Sequence, residues 1–130
     1  MIVRSFLALG LFAVSTLAAD DKEKPLGPVE ARKQVGKEIT VEMEVKAAKN
    51  ALQKRGEIYL DSEENFRDEK NFAVVITKKG AESLNNDGID NPADHFKGKT
   101  IRAKGKVSEV DGIPRIEIDD AKQIEIPEKK

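Results

Sequence analysis

The chain of 130 residues has no cysteine and no tryptophan, and it has a single histidine and a single tyrosine. Without cysteine there is no disulfide scaffold, no thiolate-ligated zinc and no thiol nucleophile. A lone His95 with no thiolate and no second imidazole is a poor transition-metal site. Aromatic residues make up 5% of the chain, so any base-stacking platform must be small. Neither sign of charge is in excess. Lys and Arg total 23 and Asp and Glu total 24, for a net charge of −1, which argues against a generally basic nucleic-acid protein.

One apolar run is present, at the start. Arg4 precedes the run at residues 6–14, and Thr16-Leu17-Ala18 offers small residues for cleavage after Ala18, leaving Ala19 first. The run is too short to span a bilayer comfortably, and no second one follows. Residues 1–18 therefore read as a secretory signal peptide. Export to the periplasm or beyond is expected, with no membrane anchor after cleavage and no cysteine to carry a lipid. Residues 19–27 read as a flexible leader and 127–130 as a C-terminal tail.

Between them, strand signals dominate. Pro28 opens a short helix expected over residues 28–35, with Val29, Arg32 and Val35 at helical spacing. In residues 37–46, Ile39, Val41, Met43 and Val45 alternate with Glu38, Thr40, Glu42 and Glu44, the pattern of a half-buried strand. Residues 50–56 read as a loop. A strand over 56–61 turns Ile58 and Leu60 in and Tyr59 out, a polar connection fills 62–71, and an apolar strand covers 72–77. A helix over 79–85 and a turn capped by Asn91-Pro92 precede an alternating strand at 100–107. Asp111-Gly112 is a hairpin signal leading into a strand at 113–118, and residues 123–126 form a short closing strand. This order predicts an all-β fold over residues 28–126. The expected form is a five-stranded Greek-key OB-fold barrel with a short helix between strands three and four and a short N-terminal helix. A small sandwich is the alternative.

Three segments carry a resemblance. Residues 35–42 (VGKEITVE), 96–107 (FKGKTIRAKGKV) and 112–118 (GIPRIEI) follow in the order found in exported bacterial OB-fold domains, and 120–124 (DAKQI) has Ala121 where that group usually has proline. The chain resembles the tRNA-anticodon-binding-like, tRNA/helicase-type OB group. That resemblance implies the fold and a possible nucleic-acid partner, although fold does not imply function.

Charge is segregated along the chain. Lys46, Lys49, Lys54 and Arg55 form one acid-free basic stretch, and Lys97, Lys99, Arg102, Lys104 and Lys106 form another. Lys54, Arg55, Tyr59 and Arg115 are the candidate ligand-binding residues. In an OB barrel they surround the face of strands two and three, where an aromatic ring can stack a base and cations can meet phosphates. Single-stranded nucleic acid or another polyanion is the expected partner. The alternative is a protein-interaction or structural module of the cell envelope. Residues 83–94 match a calcium loop in part but depart from it at several positions, and they read better as a turn between two short helices, with Asn91 as cap. Ser62, Ser83 and Ser108 lie in no nucleophile-elbow context, and no cofactor motif is present, so an enzyme is not expected.

Overall fold

The computed structural model describes residues 24–127. The signal peptide, both cleavage residues Ala18 and Ala19, the first part of the leader and residues 128–130 lie outside the described residues. Four short α-helices and seven strands follow in order: α1 (Pro28–Ala31), β1 (Glu38–Glu44), β2 (Ala47–Ala51), α2 (Leu52–Arg55), β3 (Glu57–Asp61), β4 (Ala73–Thr77), α3 (Lys78–Asn86), α4 (Pro92–Phe96), β5 (Thr100–Val110), β6 (Ile113–Ile118) and β7 (Ile124–Glu125), the last preceded by a 3-10 turn at Ala121–Gln123.

The strands pair in the order β1-β5-β6-β4-β3-β2, with β7 added to β5. All pairings are antiparallel except β4 with β6, which run parallel, since α3, α4 and β5 form the crossover between them. The long β5 serves two partners. Residues Thr100 to Lys106 face β1, and Val107 to Val110 face β6. The two ends of the path, β1 and β2, are separated in the chain by only Val45 and Lys46. Val45 N donates to Lys99 O at 2.9 Å and Lys46 N to Asp61 O at 2.9 Å.

Period-two alternation built the core as expected. Ile39, Val41 and Met43 of β1, Ile58 and Leu60 of β3, Val74 and Ile76 of β4, Ile101, Ala103 and Val107 of β5, and Ile116 and Ile118 of β6 are all buried. Phe72, Leu84 and Phe96 close the cluster. Each of these side chains except Ala103 contributes about 1.5–3 kcal/mol on leaving water. The β5–β6 hairpin turns at Asp111 and Gly112, with φ of 54° and 79°. Positive φ at both central positions is what a tight hairpin turn requires, and Asp-Gly tolerates it.

Several expectations are corrected. The first expected strand, 37–46, ends at Glu44, and a further strand not expected from the sequence, β2, follows at Ala47–Ala51, while β7 falls within the closing strand expected at 123–126. Residues 50–51 belong to β2 rather than to a loop, and Leu52–Arg55 make one helical turn. The N-terminal helix covers Pro28–Ala31 only. Ala31 is the residue it buries, while Val29 and Val35 stay exposed, so the apolar spacing read there is not a core face. Leu26, assigned to the leader, is bonded to β1 on both sides, its N to Thr40 O and its O to Glu42 N, each at 2.8 Å.

Candidate functional site

Strand pleating sets Glu57, Tyr59 and Asp61 on the outer face of β3, because Ile58 and Leu60 face the core. Next to them, β4 presents Ala73 and Val75, which are buried although they point away from the core cluster. Beyond β4, β6 contributes Ile113 and Arg115. On the other side, β2 contributes Lys49, whose Cα partner is Tyr59. These side chains, with Arg55, Phe66, Val110 and Asp111, line a cleft of about 370 Å³. That volume lies within the range of small-ligand sites, roughly 300–1,000 Å³.

Of the four predicted site residues, Arg55, Tyr59 and Arg115 line this cleft, and Lys54, exposed on α2, does not. Arg55 is fully exposed at the mouth beside the Tyr59 hydroxyl, which favours the charged guanidinium. Tyr59 is half-buried, and its hydroxyl donates to Glu57 Oε1 at 2.7 Å. Burial, reinforced by that bond, holds the Tyr59 phenol above its ordinary pKa.

Arg115, a candidate ligand-binding residue, points outward, but it is 9% exposed and already paired: Nη2 donates to Glu57 Oε2 at 2.8 Å and to Glu117 Oε2 at 3.1 Å. Glu57 thus takes Tyr59 on one oxygen and Arg115 on the other. Arg115 Nε is buried with no hydrogen-bond partner.

The sequence reading missed Phe66. It lies in the loop between β3 and β4, 48% exposed, with the Arg67 guanidinium 5.2 Å from its ring centroid. A solitary aromatic within a run of acids (DSEENFRDE) was the available signal. Two cations of the second basic stretch, in contrast, face acids across the sheet. Arg102 sits opposite Glu42 and Lys106 opposite Glu38, and Arg102 Nε meets Glu42 Oε1 at 2.7 Å. Such exposed pairs contribute about 0.2–1 kcal/mol each and leave little field for an anion. In the calcium-like segment, α3 runs to Asn86 and the Asn91 side chain caps α4, accepting from Asp94 N at 3.4 Å. Among the described residues no three His, Asp or Glu side chains gather to hold a metal.

Asp61 forms part of the cleft wall at 8% exposure, and Asn71 Nδ2 donates to its Oδ1 at 3.1 Å. Burial pushes the Asp61 carboxyl above its ordinary pKa, and the Asn71 bond offsets this only in part. The folded state therefore holds this proton more tightly than the unfolded chain. The contribution to stability is complete below the unfolded value of about 3.9 and is lost as pH rises through the higher folded value. Asp61→Asn, which keeps the acceptor oxygen, is expected to raise the urea midpoint at pH 7 and to leave it unchanged near pH 3. An equal shift at both pH values would show that ionisation of Asp61 is not its cause.

No protein-family model matches the chain, and no curated protein matches it. Among solved structures, one assigned as an aspartyl-tRNA synthetase from Leishmania major Friedlin aligns with 92% of this chain and 27% of its own, with a TM-score of 0.51 at 8% identity. An aspartyl-tRNA synthetase from Entamoeba histolytica aligns over 99% of this chain and 25% of its own, with a TM-score of 0.49 at 11% identity. The chain spans about a quarter of the length of these structures. At such identity the likeness is one of fold.

Proposed function

We propose that the chain is an exported, non-enzymatic binding module of OB type. In this reading β1 and β2 are two halves of one bent strand, so that β1/β2, β3, β4, β5 and β6 make a five-stranded Greek-key barrel. The outer face of β3 and β4 receives a short stretch of single-stranded nucleic acid. One observation carries this reading: Tyr59, Phe66, Lys49 and Arg55 meet at a single cleft. Two rings can stack successive bases while two cations meet the backbone. The fold likeness to synthetase chains and the resemblance of residues 35–42, 96–107 and 112–118 to the tRNA/helicase-type OB group support it. N-terminal residues 1–18 support export.

The geometry also sets the salt dependence. Lys49 and Arg55 are the cleft cations without an ion-pair partner among the described residues. Phosphate contacts at these two cations give a slope of log affinity against log salt of about −1.4, and a third at Arg115 would bring it to about −2.1. Fluorescence titration of an oligonucleotide should return a slope in that shallow range. Phe66→Ala should cost about 1–3 kcal/mol of binding, and Lys54→Ala should change little. No binding at low salt would refute the assignment.

A second reading rests on the charge balance of the lining. Glu57, Asp61 and Asp111 face Lys49, Arg55 and Arg115, and Phe66 and Val110 stand exposed on the rim. A cleft of that kind also suits a protein segment of mixed charge in the envelope. Binding that is indifferent to salt and to oligonucleotide, with a stoichiometric envelope protein recovered on the chain, would favour it.

A further inference from the structure

Arg115 differs from the other cations of the cleft. Its side chain is 11% exposed, yet it lines the cleft alongside exposed Arg55. A guanidinium buried to this degree must be paired, and here the pairing is lopsided. Both ion pairs converge on Nη2, from Glu57 at 2.8 Å and Glu117 at 3.1 Å, while the buried Nε has no partner. A guanidinium offers two parallel N–H groups to an oxyanion in a fork, and Glu57 and Glu117 do not use that geometry.

Strand register explains the arrangement. Ala73 of β4 is level with Asp61 on one side and with Arg115 on the other. The nearest carboxylate by register, Asp61, is instead engaged by Asn71, and Arg115 reaches diagonally to Glu57, which is level with Thr77. Glu57 is also held by the Tyr59 hydroxyl.

We propose that Arg115 is the phosphodiester anchor of the cleft, and that Glu57 and Glu117 occupy it in the free protein. A backbone phosphate binds by taking the place of one of them on the guanidinium fork. The two carboxylates act as an internal competitor. They keep the buried charge compensated when the cleft is empty and set a threshold that a single isolated anion does not overcome. An oligonucleotide overcomes it because base stacking on Tyr59 and Phe66 adds to the phosphate exchange. This inference rests on the nucleic-acid reading of the cleft.

The test separates exchange on Arg115 from the general effect of removing a negative charge. Glu57→Gln and Glu117→Gln should each tighten oligonucleotide binding about tenfold, since the competitor is weakened and one carboxylate still compensates Arg115. Asp111→Asn removes a cleft carboxylate that is not bonded to Arg115, and it should tighten binding by less than about threefold. In an Arg115→Gln background, Glu57→Gln should gain no more than Asp111→Asn does. In the wild-type protein the Arg115 Nε–Hε resonance should shift downfield as oligonucleotide is added, because Nε acquires an acceptor. If wild type binds but Glu57→Gln equals Asp111→Asn, or its gain persists without Arg115, the exchange is wrong and the cleft assignment stands. If neither wild type nor any variant binds at low salt, the nucleic-acid reading fails, and the exchange with it.

Discussion

Gly80→Ala is expected to destabilise the fold by about 3 kcal/mol, since of the described glycines Gly80 leaves the least room for a Cβ. Gly80 sits in the first turn of α3, and its N donates to the Thr77 hydroxyl that caps the helix, at 3.2 Å. The single Thr77 hydroxyl proton faces Ile118 O at 3.1 Å and Asp119 Oδ1 at 2.6 Å, so the cap ties α3 to the end of β6. This draws the Gly80 backbone onto the Ile118 carbonyl. A Cβ there would lie 1.9 Å from Ile118 O, 2.9 Å from Ile118 C and 3.2 Å from Ile76 Cγ2.

Neither obstacle can swing away. Ile118 and Ile76 are ladder partners in the parallel β4–β6 pairing, so relief requires α3 to lift from the sheet or the end of β6 to detach. Alanine's better helix propensity and the lower entropy of its unfolded chain recover about 1 kcal/mol at most, which is too little to decide the sign. Gly27→Ala is the matched control, since no atom lies within 4 Å of its added Cβ and its φ is −73°. Urea unfolding should show a loss of less than about 1 kcal/mol for Gly27→Ala. A Gly80→Ala protein as stable as that control would mean that α3 does not rest on Ile118.

How far the sequence revealed this architecture depended on the kind of signal. Strand positions came from alternation, a property of adjacent residues, and so Ile39, Ile58, Val74 and Ile116 were assigned to the core correctly. The Asp111-Gly112 turn and the Asn91 cap are likewise local, set by backbone conformations that few residues favour. The interruption at Val45-Lys46 is not local. It follows from two different partners, β5 and β3, claiming successive halves of one chain segment. Gly80 carried no readable signal, because a glycine in a short helix looks like a weak helix position until the Ile118 carbonyl is found above it.

The candidate site was legible in part for the same reason. Tyr59 could be placed outward from the parity of Ile58 and Leu60. The charge state of its surroundings could not be read, because Arg115 and Glu57 are 58 residues apart in sequence and meet across three strands. The basic run ending at Lys106 is free of acids along the chain. In the sheet it stands opposite Glu38 and Glu42, so charges that are segregated along the chain are mixed across the ladder.

Asn71 is where loop order and site order coincide, and Asn71→Ala is expected to cost about 3 kcal/mol. The side chain is fully buried. Its Oδ1 accepts from Glu63 N at 2.9 Å and from Ser62 Oγ at 3.3 Å, and its Nδ2 donates to Asp61 Oδ1 at 3.1 Å and to Phe66 O at 3.2 Å. Its own carbonyl accepts from Arg32 Nη1, which ties the segment after α1 to the same point. Truncation strips the Asp61 carboxylate of that donor in a site where water replaces it poorly, and unsatisfied buried groups cost more than the bond itself returns.

Asn71→Asp separates bonding from shape. It keeps the size and the acceptor but sets a second carboxylate against Asp61, whose pKa burial has already raised. Both groups must then lose solvation and repel, so the loss at pH 7 should exceed that of Asn71→Ala. It should shrink as pH falls, because a proton shared between the two carboxylates restores a donor. Urea unfolding of both variants at pH 7 and pH 4 tests this. A pH-independent deficit for Asn71→Asp would show that Asp61 takes no part in holding the loop. Since Phe66 O is one of the four contacts, the folded fraction of Asn71→Ala should also bind oligonucleotide more weakly. Stacking on Phe66 depends on a ring held at the cleft, and Asn71 holds the loop that carries it.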